Sequence, residues 1–160
     1  TTKKLGYGTM FQLPRISWVA VVVAMLLGVG MVVIGSIFIF MGVDAKGDIK
    51  EALRQEKVIT SSDATLPGVL VEDVTTARAQ QDAIEAHTFS KFSPYSGMER
   101  DDPNHDVYLK GLTLRNALNL AIAGFGVSDM AIGIGVIAIV LGLIIAGLAI
   151  PVHTLFTRNL

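Results

Sequence analysis

The chain has 160 residues, 51% of them hydrophobic and 17% charged, and a mean hydropathy of +0.56, a composition divided between lipid and water. Its formal net charge of −1 excludes an overall electrostatic pull on nucleic acid, so no nucleic-acid partner is expected. Cysteine is absent, which excludes disulfides, thiolate nucleophiles, Cys-ligated zinc, iron–sulfur clusters and a lipoprotein anchor.

Residues 1–15 read as a short cytoplasmic segment that carries Lys3, Lys4 and Arg15 and no acid. Phe11, Leu13 and Trp18 beside those charges suit a headgroup layer, and Pro14 suits the start of a helix. Residues 16–43 (ISWVAVVVAMLLGVGMVVIGSIFIFMGV) contain no charge, and as a helix they are about 42 Å long, more than the ~30 Å of a bilayer's hydrocarbon core. A secretory signal peptide is the rival reading, but the apolar core here is far longer than the ~7–15 residues such a signal uses. Ala20, Ala24 and Gly28 recur every four residues and Gly35 continues roughly the same face, a pattern that lets a second backbone approach closely.

Residues 43–58 (VDAKGDIKEALRQEKV) are charged yet still helical in pattern, with Ile49, Ala52 and Leu53 on one face. They predict that the first helix leaves the membrane as a stalk, with Gly47 as a loosening point. Residues 59–68 (ITSSDATLPG) read as a loop and 69–71 as a short extended piece. Asp73 is the expected cap of a helix running to about His87, with a thin apolar face of Val74, Ala77 and Ile84. Residues 89–98 read as an aromatic loop whose Phe89, Phe92 and Tyr95 cover the stalk or touch a partner.

In ERDDPNHD, Asp102 is the expected N-cap, Pro103 the first helical residue and Asp106 an acid in the first turn. From Val107 to Ile150 no strong breaker occurs, so the helical pattern is about twice as long as the hydrocarbon is thick. Lys110, Arg115, Asn116 and Asn119 mark its wet part, Gly124, Gly126 and Ser128 are candidate bends, and Asp129 marks the membrane surface. Residues 129–152 predict the second span, with Ala131, Gly135, Ala138, Gly142 and Ala146 as a small-residue stripe. Pro151 is expected to end or kink this helix, leaving 153–160 as a cytoplasmic tail with Arg158.

The flanking charges set an expected orientation. The segment 43–115 holds 9 basic and 13 acidic side chains, whereas both terminal flanks are basic, which puts both termini inside and residues 44–128 outside. The two wet extensions, 44–58 and 103–128, are then expected side by side.

Candidate chemistry is sparse. Asp129 is the sharpest residue: it either meets Lys46 or a partner's cation, or caps the second span with Ser128 at the headgroups. Asp101, Asp102, His105 and Asp106 gather metal-type ligands, but without EF-hand spacing, and helix capping explains Asp102, Pro103 and Asp106 without metal. His87, Glu85 and Asp82 do not share one helical face at their offsets. His153 sits at the expected inner interface, and neither span contains a His to ligate haem. The residues therefore give no catalytic, cofactor-binding or metal-binding set, no cofactor and no small-molecule substrate, so no enzyme is expected.

The stretch 59–143, through ITSSDA, ARAQQDAIEAHTF and RDDPNHDVYLKGLTLRNALNLAIAGFGVSDMAIGIG, resembles a group of uncharacterised two-span membrane proteins of actinobacteria. Some members carry an aromatic ring-opening dioxygenase label, an activity that needs metal ligands for which this sequence has no convincing set. The resemblance implies an envelope protein of a high-GC Gram-positive bacterium and, by analogy, a small cofactor-free subunit of an actinobacterial respiratory supercomplex.

The expected fold is an all-α membrane protein: a two-span antiparallel helical hairpin with a helical stalk and a short third helix in the connecting region. The expected role is a non-catalytic accessory subunit of a larger membrane complex, in particular a respiratory one of cytochrome bc–oxidase type. Its partners would be other integral membrane subunits and lipid. The alternative is a homo-oligomeric envelope protein with an extracytoplasmic binding or sensing domain.

Overall fold

The computed structural model describes residues 18–92, 97, 99 and 101–158. The basic segment 1–15 and Tyr95 lie outside the described residues. The described residues form three helices: α1 (Trp18–Gln55), α2 (Val74–Lys91) and α3 (His105–Arg158). Among the described residues there is no strand, only an isolated antiparallel bridge between Ile59 and Leu70. Helices α1 and α3, of 38 and 54 residues, are long and apolar enough to cross a membrane. Only 11% of the most apolar stretch of each is buried.

The chain divides into two compact units, one of α1 up to Ile34 with α3 from Ala138 on, the other Gly35–Ile137. In the first, Gly28 lies against Gly142 and Ala146. In the second, Gly135 lies against Gly35 and Ile39, Gly42 against Ser128 and Ile132, and Gly124 against Ile49. Within this second unit the partners step in opposite directions along the two helices.

The second unit has a small core of Val71, Ala77 and Leu118, with Leu53, Val58, Ile84 and Ile122 packed on them. Helix α1 stops just past Gln55 because Lys57 takes the left-handed conformation (φ 49°), a position where glycine is the usual residue. The loop that follows is tied by Thr60, whose hydroxyl donates to the Leu66 carbonyl and accepts from the Val69 amide (2.8 Å). Gly68, at φ 70°, makes its return turn.

Asp73 caps α2, as its residue type predicts. Its carboxylate accepts from the Thr76 amide at 2.8 Å, and the Thr76 hydroxyl accepts from the Asp73 amide at 3.2 Å. Helix α2 does not stop near His87 but runs on to Lys91, so Phe89 is helical rather than in a loop. Its buried face is Thr76, Ala77, Ala79, Gln80, Ala83 and Thr88, short side chains apart from Gln80, while Val74 is only half-buried.

The expected start of α3 is also corrected. Asp102 does not cap it: its carboxylate accepts from the Asn104 amide (2.7 Å) in a preceding turn, and the helix begins at His105, with the Asn104 carbonyl accepting from Tyr108 (3.0 Å). Neither Gly124, Gly126 nor Ser128 interrupts α3, and Gly47 does not interrupt α1. Pro151 lies inside α3, which continues to Arg158, so 153–158 is helix and not a separate tail.

Candidate functional site

Burial along the two long helices recurs every seven residues. On α1 the buried residues are Val21, Gly28, Gly35 and Gly42; on α3 they include Leu118 and Phe125, then Ser128, Gly135 and Gly142. A seven-residue period in burial marks a single face on each helix. The contacts are tight because glycine puts no side chain between the backbones. A Cβ on Gly28 would fall 2.6 Å from the Gly142 carbonyl oxygen, and one on Gly135 would fall 2.5 Å from that of Gly35.

This places the small residues differently from the four-residue spacing. Ala20 is exposed and Ala24 half-buried, so the face turns on Val21 and Gly28 instead. Gly42 was missed altogether; the signal was the equal spacing of Gly28, Gly35 and Gly42, mirrored by Gly135 and Gly142. On the far side of α3, Gly126, Gly133 and Gly147 share the same seven-residue register and have nothing near their Cβ positions.

Where the charge-free stretches end, Lys46 of α1 donates to Asp129 of α3 at 2.7 Å. Of the alternatives for Asp129, the structure thus realises pairing with Lys46. Ser128 is not its co-cap: it is buried and its hydroxyl donates to the Gly124 carbonyl (2.9 Å). Both ion-pair side chains are about half exposed, at 45% and 56%.

Further along α1, Glu72 is held between Arg54 (2.6 Å) and Lys50 (3.4 Å). The hydrogen bond from Arg54 is the main cause of a Glu72 carboxyl held below its ordinary range. The Asp73 carboxyl is also lowered, first by the Thr76 amide that it caps. Buried Gln80 accepts from the Ser61 amide at 2.7 Å, and His87 and Asp63 are in direct contact, so the 59–70 loop is fastened along α2 at two points.

The structure separates the three groups on α2. His87 pairs with Asp63, and Glu85 lies 3.9 Å from Arg115. Asp82 lines a shallow polar groove with Arg78, Gln81 and Asn119. Arg115 also stands over the Phe89 ring at 5.6 Å, and Phe92 meets Tyr108 edge-on at 6.1 Å, so both described aromatics of 89–98 contact α3. Asp101, Asp102, His105 and Asp106 stay on adjacent turns. Among the described residues no three His, Asp or Glu side chains converge to hold a metal.

His153 stacks at an angle on Trp18, with ring centroids 5.6 Å apart. Beside them a groove of about 220 Å³ opens between α1 and α3, lined by apolar side chains that include Ala20, Ala24, Leu148 and Ala149. No known protein family, curated protein or solved structure matches this chain.

Proposed function

We propose that the chain crosses a membrane twice as an antiparallel hairpin, with both termini cytoplasmic and residues 44–128 extracytoplasmic. It acts there as a non-catalytic accessory subunit of a larger membrane complex, in particular a respiratory supercomplex of cytochrome bc–oxidase type. Its partners are other integral membrane subunits and lipid.

The observation that carries this reading is the exposure of both long helices. Leu26, Phe40, Met130, Ile137 and Leu143 are each at least 60% exposed, on stretches (18–43 and 130–152) that hold no charged side chain. Such a surface is stable only against lipid or other apolar helices. The glycine seam uses one face of each helix and leaves no room at Gly28 and Gly142 for a cofactor or a substrate path. Charge begins at Asp44 on α1 and at Asp129 on α3, which suits a common water boundary. The respiratory assignment is supported by the resemblance of 59–143 described above.

Purification in mild detergent followed by mass spectrometry tests the role: stoichiometric co-purification of other membrane subunits is expected, and recovery of the chain alone would overturn it. A homo-oligomer is the second reading, favoured by the open register of Gly126, Gly133 and Gly147. Cross-linking in native membranes separates the two, since only the homo-oligomer gives self-adducts without other subunits.

A further inference from the structure

We propose that the face of α3 from Asn116 to Ile137 is an interface with a second copy of this chain, the two α3 helices lying parallel. The inference rests on the reading that α3 crosses lipid, and it holds whether or not other subunits join the assembly.

Leu120, Ala123, Val127, Met130, Ile134 and Ile137 are all exposed and step by three and four, which sets them in one line along the helix. All belong to the unit Gly35–Ile137. Lipid accounts for the lower part of this line but not for the upper. Leu120, 75% exposed, stands nine residues before Asp129, where charge begins. At the helical rise it is about 13 Å beyond Asp129, whereas a headgroup layer is only about 5–8 Å deep. An apolar line that keeps its register past the reach of lipid fits one cover along its whole length, a second helix that also leaves the membrane.

The polar groups beside the line point to a second copy as that helix. The line itself carries no charge, so two copies can lie parallel, each level facing itself, without like charges meeting. Its next position upward is Asn116, exposed and without a hydrogen bond among the described residues. An amide both donates and accepts, so Asn116 can pair with its own copy, and one such amide fixes the register of paired helices. Along one edge Asn119, Gly126 and Gly133 follow at intervals of seven, and both glycines have nothing within 4 Å of a Cβ, which leaves room for a second backbone. Asn119 also lines the polar groove with Arg78, Gln81 and Asp82 of α2, and neither Arg78 nor Asp82 has an ion-pair partner among the described residues. A cation and an anion at the edge of a two-fold interface complement themselves, Arg78 of each copy meeting Asp82 of the other. An unrelated helix would cover the apolar line but would not of itself bring that reciprocal pair.

Single-cysteine variants of the full chain, reconstituted in phosphatidylcholine vesicles at high lipid excess and oxidised, test the face. Leu120→Cys and Ala123→Cys are expected to form disulfide dimers about fivefold more than Leu114→Cys, each yield scaled to that thiol's reactivity with maleimide. Leu114 is also exposed outside the charge-free stretch but lies on another face of α3. Adding Gly126→Leu and Gly133→Leu, whose side chains enter open space in the single chain, is expected to remove the excess. Arg78→Asp is expected to reduce it, and Arg78→Asp with Asp82→Arg to restore it, because only a second copy carries the exchange on both sides of the interface.

Equal scaled yields at the three positions overturn the interface while leaving the membrane reading standing. So does an exchange of Arg78 and Asp82 that fails to restore the yield, which would point to a different partner on this face. Ready labelling of Ile137→Cys in the same vesicles by a membrane-impermeant maleimide overturns the membrane reading itself.

Discussion

Gly28 and Gly142 face each other so closely that a Cβ on either would fall within 2.6 Å of the other's carbonyl oxygen. The contact explains why neither position carries a side chain, and it predicts opposite outcomes for one chemical change. Gly28→Ala forces the helices apart and should cost about 1–3 kcal/mol through overpacking. Gly47→Ala adds the same methyl to the same helix with nothing within 4 Å, and should gain about 0.5–1 kcal/mol from helix propensity. Thermal unfolding of the two variants in detergent is expected to shift in opposite directions.

The Lys46–Asp129 pair joins α1 to α3 where charge begins. Half-exposed ion pairs are weak in water, so Lys46→Gln or Asp129→Asn alone should cost about 1 kcal/mol or less. The exchanged pair, Lys46→Asp with Asp129→Lys, should recover most of what the single reversals lose. A double-mutant cycle on thermal stability gives the coupling, and a value of zero would mean the pair is incidental.

Lys57 holds a conformation in which an L side chain is strained by about 1–2 kcal/mol, and its φ of 49° is the only positive one outside glycine among the described residues. Lys57→Gly is therefore expected to stabilise the unit Gly35–Ile137. Chemical denaturation followed by far-ultraviolet dichroism checks the sign.

Acidification should loosen the same unit. Glu72 and Asp73 both have carboxyls lowered in the folded chain, the first mainly by its hydrogen bond from Arg54, the second mainly by the Thr76 amide. A lowered folded-state pKa gives stability that is full above the unfolded value and is lost as pH falls through the folded one. Stability is thus expected to be flat in this respect near neutrality and to decline below about pH 4. Glu72→Gln should be less stable at neutral pH and should show a shallower acid decline, measured as midpoint temperature against pH.

Much of this architecture is legible in the sequence because lipid and water leave different marks on composition. The charge-free stretches, the charged continuation of α1 and the Asp73 cap all follow from residue type and spacing. The seam register is harder to read. Ala20, Ala24 and Gly28 suggest a four-residue step, whereas the paired helices follow seven, and only both helices taken together show which small residues meet. The start of α3 is ambiguous for a local reason: Asp102 and Asn104 are both good caps, and Asp102 is consumed in a turn. Pro151 misleads as a stop signal, because the helix runs through it to Arg158. The His87–Asp63 and Gln80–Ser61 contacts join residues 24 and 19 positions apart, and no local pattern announces them.

The central claim is that α1 and α3 cross lipid and display the region between them on the outer side. The chain has no cysteine, so single cysteines can be placed at will. With a membrane-impermeant maleimide on intact cells, Asp101→Cys is expected to label fully, and Leu26→Cys, 67% exposed but within the apolar stretch, is expected to stay unlabelled even after lysis. Labelling of Asp101→Cys only after lysis, or ready labelling of Leu26→Cys from water, would contradict the account.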